Sequence, residues 1–170
     1  AGEDKKYGAA ADYEAEDLLQ AAKIIKNSSV KAVILAGGRG ERLRPITDSI
    51  PKPMIEIGGK PLLQHQIDAL RRSGITYIAI CGSYLVEKIK NYFGDGSEFG
   101  VKIHYPDEPQ PLGSGGAIRN AFRHLKDAER IVIINGDKML GGDFDFDRMI
   151  EFDRKKEGFA TVLVRYTDHP

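Results

Sequence analysis

Three short stretches of this 170-residue chain hold residues whose type and spacing could do chemistry. The first, Gly37-Gly38-Arg39-Gly40-Glu41-Arg42-Leu43-Arg44-Pro45-Ile46-Thr47, packs three glycines into four positions. Backbone N–H groups there can approach a ligand as closely as a phosphate cradle requires. Between Arg39 and Lys52 stand four cations (Arg39, Arg42, Arg44, Lys52) against two acids (Glu41, Asp48), so the loop is locally basic. The Walker pattern is absent, and the dinucleotide G-x-G-x-x-G pattern is met only through Gly38-Arg39-Gly40, with Leu43 where the third glycine belongs. Kinase-type NTPase and classical NAD chemistry are both disfavoured. The bland alternative is a glycine-rich turn with solvated arginines. The second stretch, Gln110-Pro111-Leu112-Gly113-Ser114-Gly115-Gly116, is again rich in glycine. The third, Asn135-Gly136-Asp137, directly follows the apolar run Ile131–Ile134. A carboxylate placed there belongs at a strand's end, where a hard cation such as Mg²⁺ prefers one or two carboxylates plus substrate phosphates. An ordinary turn would use the same three residues.

What must position these stretches is legible in the periodicity. Residues 31–36, 76–81, 101–105, 131–135 and 160–165 are short apolar, β-branched runs that read as strands. Helical patterns lie between them. One begins at Pro61, carries Leu62, Leu63, Gln66, Ile67 and Leu70 at three-and-four spacing, and closes at Gly74. The others place Val86, Ile89 and Phe93, then Ile118, Phe122 and Leu125, then Phe146, Met149, Ile150 and Phe152 on single faces. Strands alternating with helices predict an α/β, Rossmann-like fold with a mostly parallel sheet and helices on both faces. In such sheets ligands bind beyond the carboxyl ends of the strands, which selects the same three loops.

Composition narrows the class. The chain has 25 Lys and Arg against 25 Asp and Glu, a formal net charge of zero, which argues against nucleic-acid binding. A single cysteine, Cys81, cannot form an internal disulfide, and no apolar run approaches the roughly 20 residues that span a bilayer. No membrane partner is expected, and a cytoplasmic location is. Residues 1–29 lack a strand and read as a polar lead and an amphipathic helix, with Ala15, Leu18, Leu19, Ala22 and Ile25 on one stripe, followed by an Asn27-Ser28-Ser29 linker.

The segment AVILAGGRGERLRPITDSIPKPMIEIGGKPLLQHQIDALRRSGI is similar to the opening of the sugar-1-phosphate nucleotidyltransferases, and PLGSGGAIRNA and IINGD resemble that family's second and third motifs, in its order and spacing. The resemblance implies transfer of a nucleoside monophosphate from an NTP to a sugar 1-phosphate, with release of pyrophosphate and with Mg²⁺ as cofactor. It assigns Arg42 and Lys52 to the phosphates, Asp137 to the metal, and Leu35, Ala36, Gly37, Gly38, Gly40, Gln110, Gly113 and Ser114 to the nucleotide. The nucleophile is already an anion, so no general base is needed, and His65, His104, His124 and His169 are scattered without metal-ligand spacing.

The P-L-G-[ST]-G-G form looks more like heptose-1-phosphate or mannose-1-phosphate guanylyltransferases, which favours GTP and a cell-envelope precursor as product, although the segment Pro53–Pro61 also resembles cytidylyltransferases. Two departures stand out: Gln110 where those relatives carry glutamate, and Lys138 where they carry a small or aliphatic residue. The resemblance also implies that residues 30–170 are the nucleotide-binding part of a longer domain. The second metal aspartate and most of the sugar pocket would then come from a complementing C-terminal half, or the chain would act in a homo-oligomer. Residues 1–29 weakly resemble the tail of haloacid dehalogenase-like phosphatases. A non-catalytic nucleotide-binding subunit of the same fold is the alternative.

Overall fold

The computed structural model describes residues 15–141, 144–156 and 158–164. The first half of the phosphatase-like segment, Arg165 of the fifth expected strand, and His169 lie outside the described residues.

In chain order the elements are α1 (Leu18–Lys26), β1 (Val30–Leu35), α2 (Ile46–Ser49), β2 (Glu56–Ile57), β3 (Lys60–Pro61), α3 (Leu62–Arg72), β4 (Tyr77–Cys81), α4 (Val86–Phe93), β5 (Lys102–His104), α5 (Gly113–Phe122), β6 (Arg130–Asn135) and α6 (Phe146–Lys156). Four strands form one parallel sheet in the order β5-β4-β1-β6, and β2 and β3 make a small hairpin. In β1, Val30, Ala32 and Ile34 pack on one face with Ile78 and Ile80 of β4, under Leu63, Ile67 and Leu70 of α3, Ile89 and Phe93 of α4, and Phe146 and Ile150 of α6. Val33, Ala79 and Cys81 point to the other face, where Ala117 and Ala121 of α5 cover them together with Leu125. Side chains alternating across every strand demand a helix layer on each side, and both layers are present.

The small residues facing α5 explain one difference from the sequence reading. Alanines, rather than Phe122, form its packed face, and Phe122 is exposed. Phe152 of α6 is likewise exposed. A larger difference concerns α1. Its expected apolar stripe faces outward, with Leu18 90% and Ile25 76% exposed, and the helix instead buries Ile24 and its C-cap Asn27. Polar fit decides this orientation. Asn27 Nδ2 donates to the Ser73 carbonyl at 2.7 Å and to Asp147 Oδ1 at 2.6 Å, so the residue read as a linker ties α1 to the end of α3 and to α6. Gly74 makes the approach possible. It has φ +74°, and a Cβ there would lie 2.4 Å from the backbone of Lys23.

The strand expected over 160–165 does not form across its described residues 160–164, which are irregular and leave Val162, Leu163 and Val164 exposed. A strand needs a hydrogen-bonding neighbour, and none of the described residues supplies one. Thr161 Oγ1 donates to Asp153 Oδ1 of α6 at 2.7 Å, which holds the segment to a helix rather than to the free edge of β6. Among the described residues no helix is long and apolar enough to cross a membrane.

Candidate functional site

The chain steps from β1 outward to β4 and β5, then returns to place β6 on the other side of β1. The loops leaving β1 and β6 therefore diverge and open a crevice at the strands' carboxyl ends. A cavity of about 660 Å³ lies there, within the range of small-molecule sites.

Leu35, Ala36, Gly37, Gly38 and Gly40 line one wall of it, with Arg42 on a short 3₁₀ turn. The loop's path is imposed locally. Gly40 has φ +64°, and a Cβ there would approach Thr47 Cγ2 to 2.9 Å. Buried Thr47 donates its hydroxyl to the Gly40 carbonyl at 2.9 Å, and Tyr84 donates its hydroxyl to the Thr47 carbonyl at 2.9 Å. The Arg39 guanidinium lies over the Tyr84 ring at 5.6 Å. Arg44 pairs with Asp48, whereas Arg42 makes no ion pair among the described residues. Its guanidinium fork is thus uncommitted beside the cavity.

Opposite, Pro51 and Pro53 are buried and fix the backbone on both sides of Lys52. Lys52 Nζ donates to Asp137 Oδ2 at 2.7 Å, and this bond holds the Asp137 carboxyl below its ordinary pKa range. The other oxygen, Oδ1, has only Lys138 Nζ at 3.9 Å. Asp137 remains partly open to solvent, so Oδ1 suits a hard cation that also takes substrate phosphates. Among the described residues no group of three or more His, Cys, Asp or Glu is arranged to hold a metal, so Asp137 offers its carboxylate alone.

The third wall is the start of α5. Gly113 and Ser114 line the cavity, and the N-cap, Leu112, has no side-chain oxygen to satisfy the first N–H groups of the helix. Uncapped N–H groups at a helix start suit an anion. Gln110 does not join them; it is exposed and outside the cavity lining. Glu108 lines the cavity instead, with a buried Oε1 that has no hydrogen-bond partner, and burial pushes its pKa up. Sequence reasoning looked for an acid immediately before Pro111-Leu112-Gly113 and missed one placed just beyond β5. The signal available was the Asp107-Glu108-Pro109 corner after a strand. Cys81 also reaches the cavity wall, but burial pushes its thiol up to about 12, and its S–H points to the Ala117 carbonyl, so it packs rather than reacts.

A model of the nucleotidyl transferase family matches residues 31–170. The chain belongs to the nucleotidyl transferase family. It is 37% identical over 144 residues to a probable mannose-1-phosphate guanylyltransferase 1 of rice (Oryza sativa subsp. japonica), covering 83% of this chain and 39% of that protein. It is 39% identical over 140 residues to the mannose-1-phosphate guanylyltransferase of Mycobacterium tuberculosis, covering 82% and 38%. This nucleotidyl transferase chain thus spans about two fifths of the length of the curated relatives it matches. Among solved structures, HddC from Yersinia pseudotuberculosis complexed with GMP-PN superposes with TM-score 0.62 at 35% identity, over 72% of this chain and 53% of that one. A putative glucose-1-phosphate thymidylyltransferase from Bacillus anthracis gives TM-score 0.67 at 29% identity, over 75% and 51%. The parallel nucleotidyl transferase sheet and its helix layers match these neighbours.

Proposed function

We propose that this site serves a guanylyltransferase that joins GTP to a mannose or heptose 1-phosphate and releases pyrophosphate. The observation that carries the proposal is the meeting of Arg42, Lys52, Asp137 and Glu108 around one cavity with the glycine loop and the start of α5. A phosphate oxygen of the sugar 1-phosphate would attack the α-phosphorus of GTP, and the bond from that phosphorus to the β-phosphate bridging oxygen would break. The attacking oxygen carries no proton, which fits a cavity without a nucleophile–base pair.

Catalysis here is alignment and charge neutralisation. The glycine-loop and α5 N–H groups and the Arg42 fork would hold the triphosphate, and Lys52 would meet the charge that grows around the α-phosphate. Asp137 would hold Mg²⁺, which supplies further neutralisation of the phosphates when bound. Lys52 would then give up its Asp137 contact and turn to a phosphate oxygen. A non-catalytic subunit would have no use for Arg42, Lys52 and Asp137 together around one cavity.

Glu108 supports guanine as the base. Its carboxylate can accept from the N1–H and the exocyclic amino group of guanine, two donors side by side that adenine, uracil and cytosine do not offer together. The relatives named as mannose-1-phosphate guanylyltransferases and the neighbour complexed with GMP-PN agree with that choice.

The test is a panel on the complete polypeptide, crossing GTP, ATP, UTP, CTP and TTP with mannose, heptose and glucose 1-phosphates, with pyrophosphate release as the readout. Release should require GTP and mannose or heptose 1-phosphate. A preference for another NTP would overturn the base assignment. In the same assay Glu108→Gln should raise the KM for GTP by about 10- to 100-fold, since an amide presents an N–H₂ to one guanine donor.

The free carboxyl of Glu108 has a raised pKa, and donors from guanine favour its ionised form. Binding therefore lowers that pKa and releases a proton in the window just below the raised value. GTP affinity should fall more steeply as pH drops through that window in the wild type than in Glu108→Gln, where only the nucleotide's own phosphate titration remains, as titration calorimetry across pH would register.

A further inference from the structure

Gln66 sits in the middle of α3 with its side chain wholly buried, among Leu63, Ile67 and Leu70. Its amide nitrogen donates to two backbone carbonyls, Asn135 at 3.0 Å and Lys138 at 2.6 Å. These two residues bracket Gly136 and Asp137, so one side chain grips both shoulders of the turn that carries the cavity's carboxylate. Its Oε1, also buried, finds no donor. An unpaired buried acceptor costs free energy, but a methionine of similar volume would remove it only by leaving the Lys138 carbonyl without its donor. The two donated bonds set against that cost both serve the turn, which is where the reason for a polar side chain on this apolar face lies.

The rest of the turn shows what the grip accomplishes. Gly136 N–H donates to the Leu35 carbonyl at 2.8 Å, which sets the turn against the end of β1, and Lys138 N–H donates to the Asn135 carbonyl at 3.1 Å. The Lys138 carbonyl, by contrast, accepts from the Gln66 amide. Helix α3 also follows the β2–β3 hairpin, and its Leu62 N–H donates at 3.0 Å to the carbonyl of Ile55, the residue next to the Lys52-Pro53-Met54 turn. Lys52 and Asp137 come from segments 85 residues apart, and α3 is the body to which both are fastened.

We propose that Gln66 is a positioning residue for the nucleotidyl transfer reaction, fixing the Asn135–Lys138 turn so that Asp137 faces Lys52 and presents its second oxygen to a cation. This rests on the reading of Asp137 as the metal carboxylate.

The test compares wild type with Gln66→Met and Gln66→Glu in the complete polypeptide. Three readouts are taken: Mn²⁺ binding followed by electron paramagnetic resonance without nucleotide, amide hydrogen exchange of residues 135–138 in metal-free protein, and steady-state kinetics. In Gln66→Met the fold should hold, with a thermal midpoint about 4–8 °C below wild type, because volume is conserved while the Lys138 carbonyl loses its donor. Exchange at Gly136 and Lys138 should speed up, Mn²⁺ affinity should fall about tenfold, and kcat should fall roughly 30-fold while the KM for GTP stays within about twofold. Gln66→Glu, with a carboxylate against two carbonyls, should show the same pattern more strongly.

Unchanged Mn²⁺ affinity and kcat in Gln66→Met, with or without a lower thermal midpoint, would reduce Gln66 to a packing residue and overturn the proposal. Wild type that binds no Mn²⁺ and releases no pyrophosphate would instead overturn the reading of Asp137 on which the proposal stands, and the two failures are separated by that wild-type measurement.

Discussion

Replacing Arg42 with alanine in the complete polypeptide is expected to lower kcat/KM for nucleotide-sugar formation by about 10³-fold. Arg42 stands beside the cavity with no ion pair among the described residues, on a turn whose start is pinned by Gly40, Thr47 and Tyr84. Its side chain therefore spends nothing on the protein's own carboxylates and can give both arms of its fork to phosphate oxygens. Removing a preorganised donor aimed at developing charge costs about 3–4 kcal/mol, which is the expected loss. Arg42→Lys should recover only part of it, because a point charge cannot make the paired contact. The loss should fall on kcat as well as KM, and a thermal midpoint equal to wild type should accompany it, since the side chain is exposed. Pyrophosphate release within about threefold of wild type would sink the assignment of Arg42 to the triphosphate.

The largest effect on stability is expected from Gly74→Ala. Two penalties coincide at this residue. Its φ of +74° is strained for any residue with a Cβ, and the added carbon would sit 2.4 Å from the Lys23 carbonyl group and 2.7 Å from Ile24 N. Backbone cannot yield as a side-chain tip can, so α1 must move away from the end of α3. That movement would break both Asn27 Nδ2 hydrogen bonds and expose Ile24. Backbone strain and the lost tie together should cost about 4 kcal/mol, or roughly 10 °C in thermal midpoint for a domain of this size. Differential scanning calorimetry checks the number, and faster proteolysis within residues 15–27 checks the cause. A midpoint within about 2 °C of wild type would mean that α1 does not dock against Gly74.

Much of this architecture could be read from residue order because it follows from local rules. Apolar β-branched runs ending in glycine gave β1 and β6 to within a residue or so, and Pro61 and Gly74 bracketed α3. The cavity was legible for a related reason. The rule that ligands gather at strand ends needs only the ends, and Leu35, Gly37, Arg42, Lys52, Gly113 and Asp137 all come to it. What failed needed knowledge of a neighbour. The apolar stripe of α1 is real, but periodicity cannot say that a glycine and an asparagine will win the contact over Leu18 and Ile25. The run at 160–165 has strand-forming residues, yet a strand depends on a partner with free hydrogen-bonding groups. Glu108 escaped because it was sought by its distance from Pro-Leu-Gly rather than by its place after β5, where its unpaired carboxylate oxygen marks it. Gln66 fell on an apolar helix face and looked like one more packed position until its two carbonyl partners were visible.

The central place of β1 in the sheet has a consequence for how the protein is made. β1 is the first strand of the described chain to leave the ribosome, and it pairs on both edges with strands that come later, through Ile34 to Ile80 of β4 and Val30 to Arg130 of β6. Its second partner arrives 100 residues after it, which is about 5–20 s of synthesis at ordinary elongation rates. Until β4 arrives both edges of this strand are open, and until β6 arrives one of them still is. The loop that follows it is shaped locally, but the cavity is complete only when the end of β6 brings Asn135, Asp137 and Lys138 to it, so the site is among the last features the nascent chain acquires.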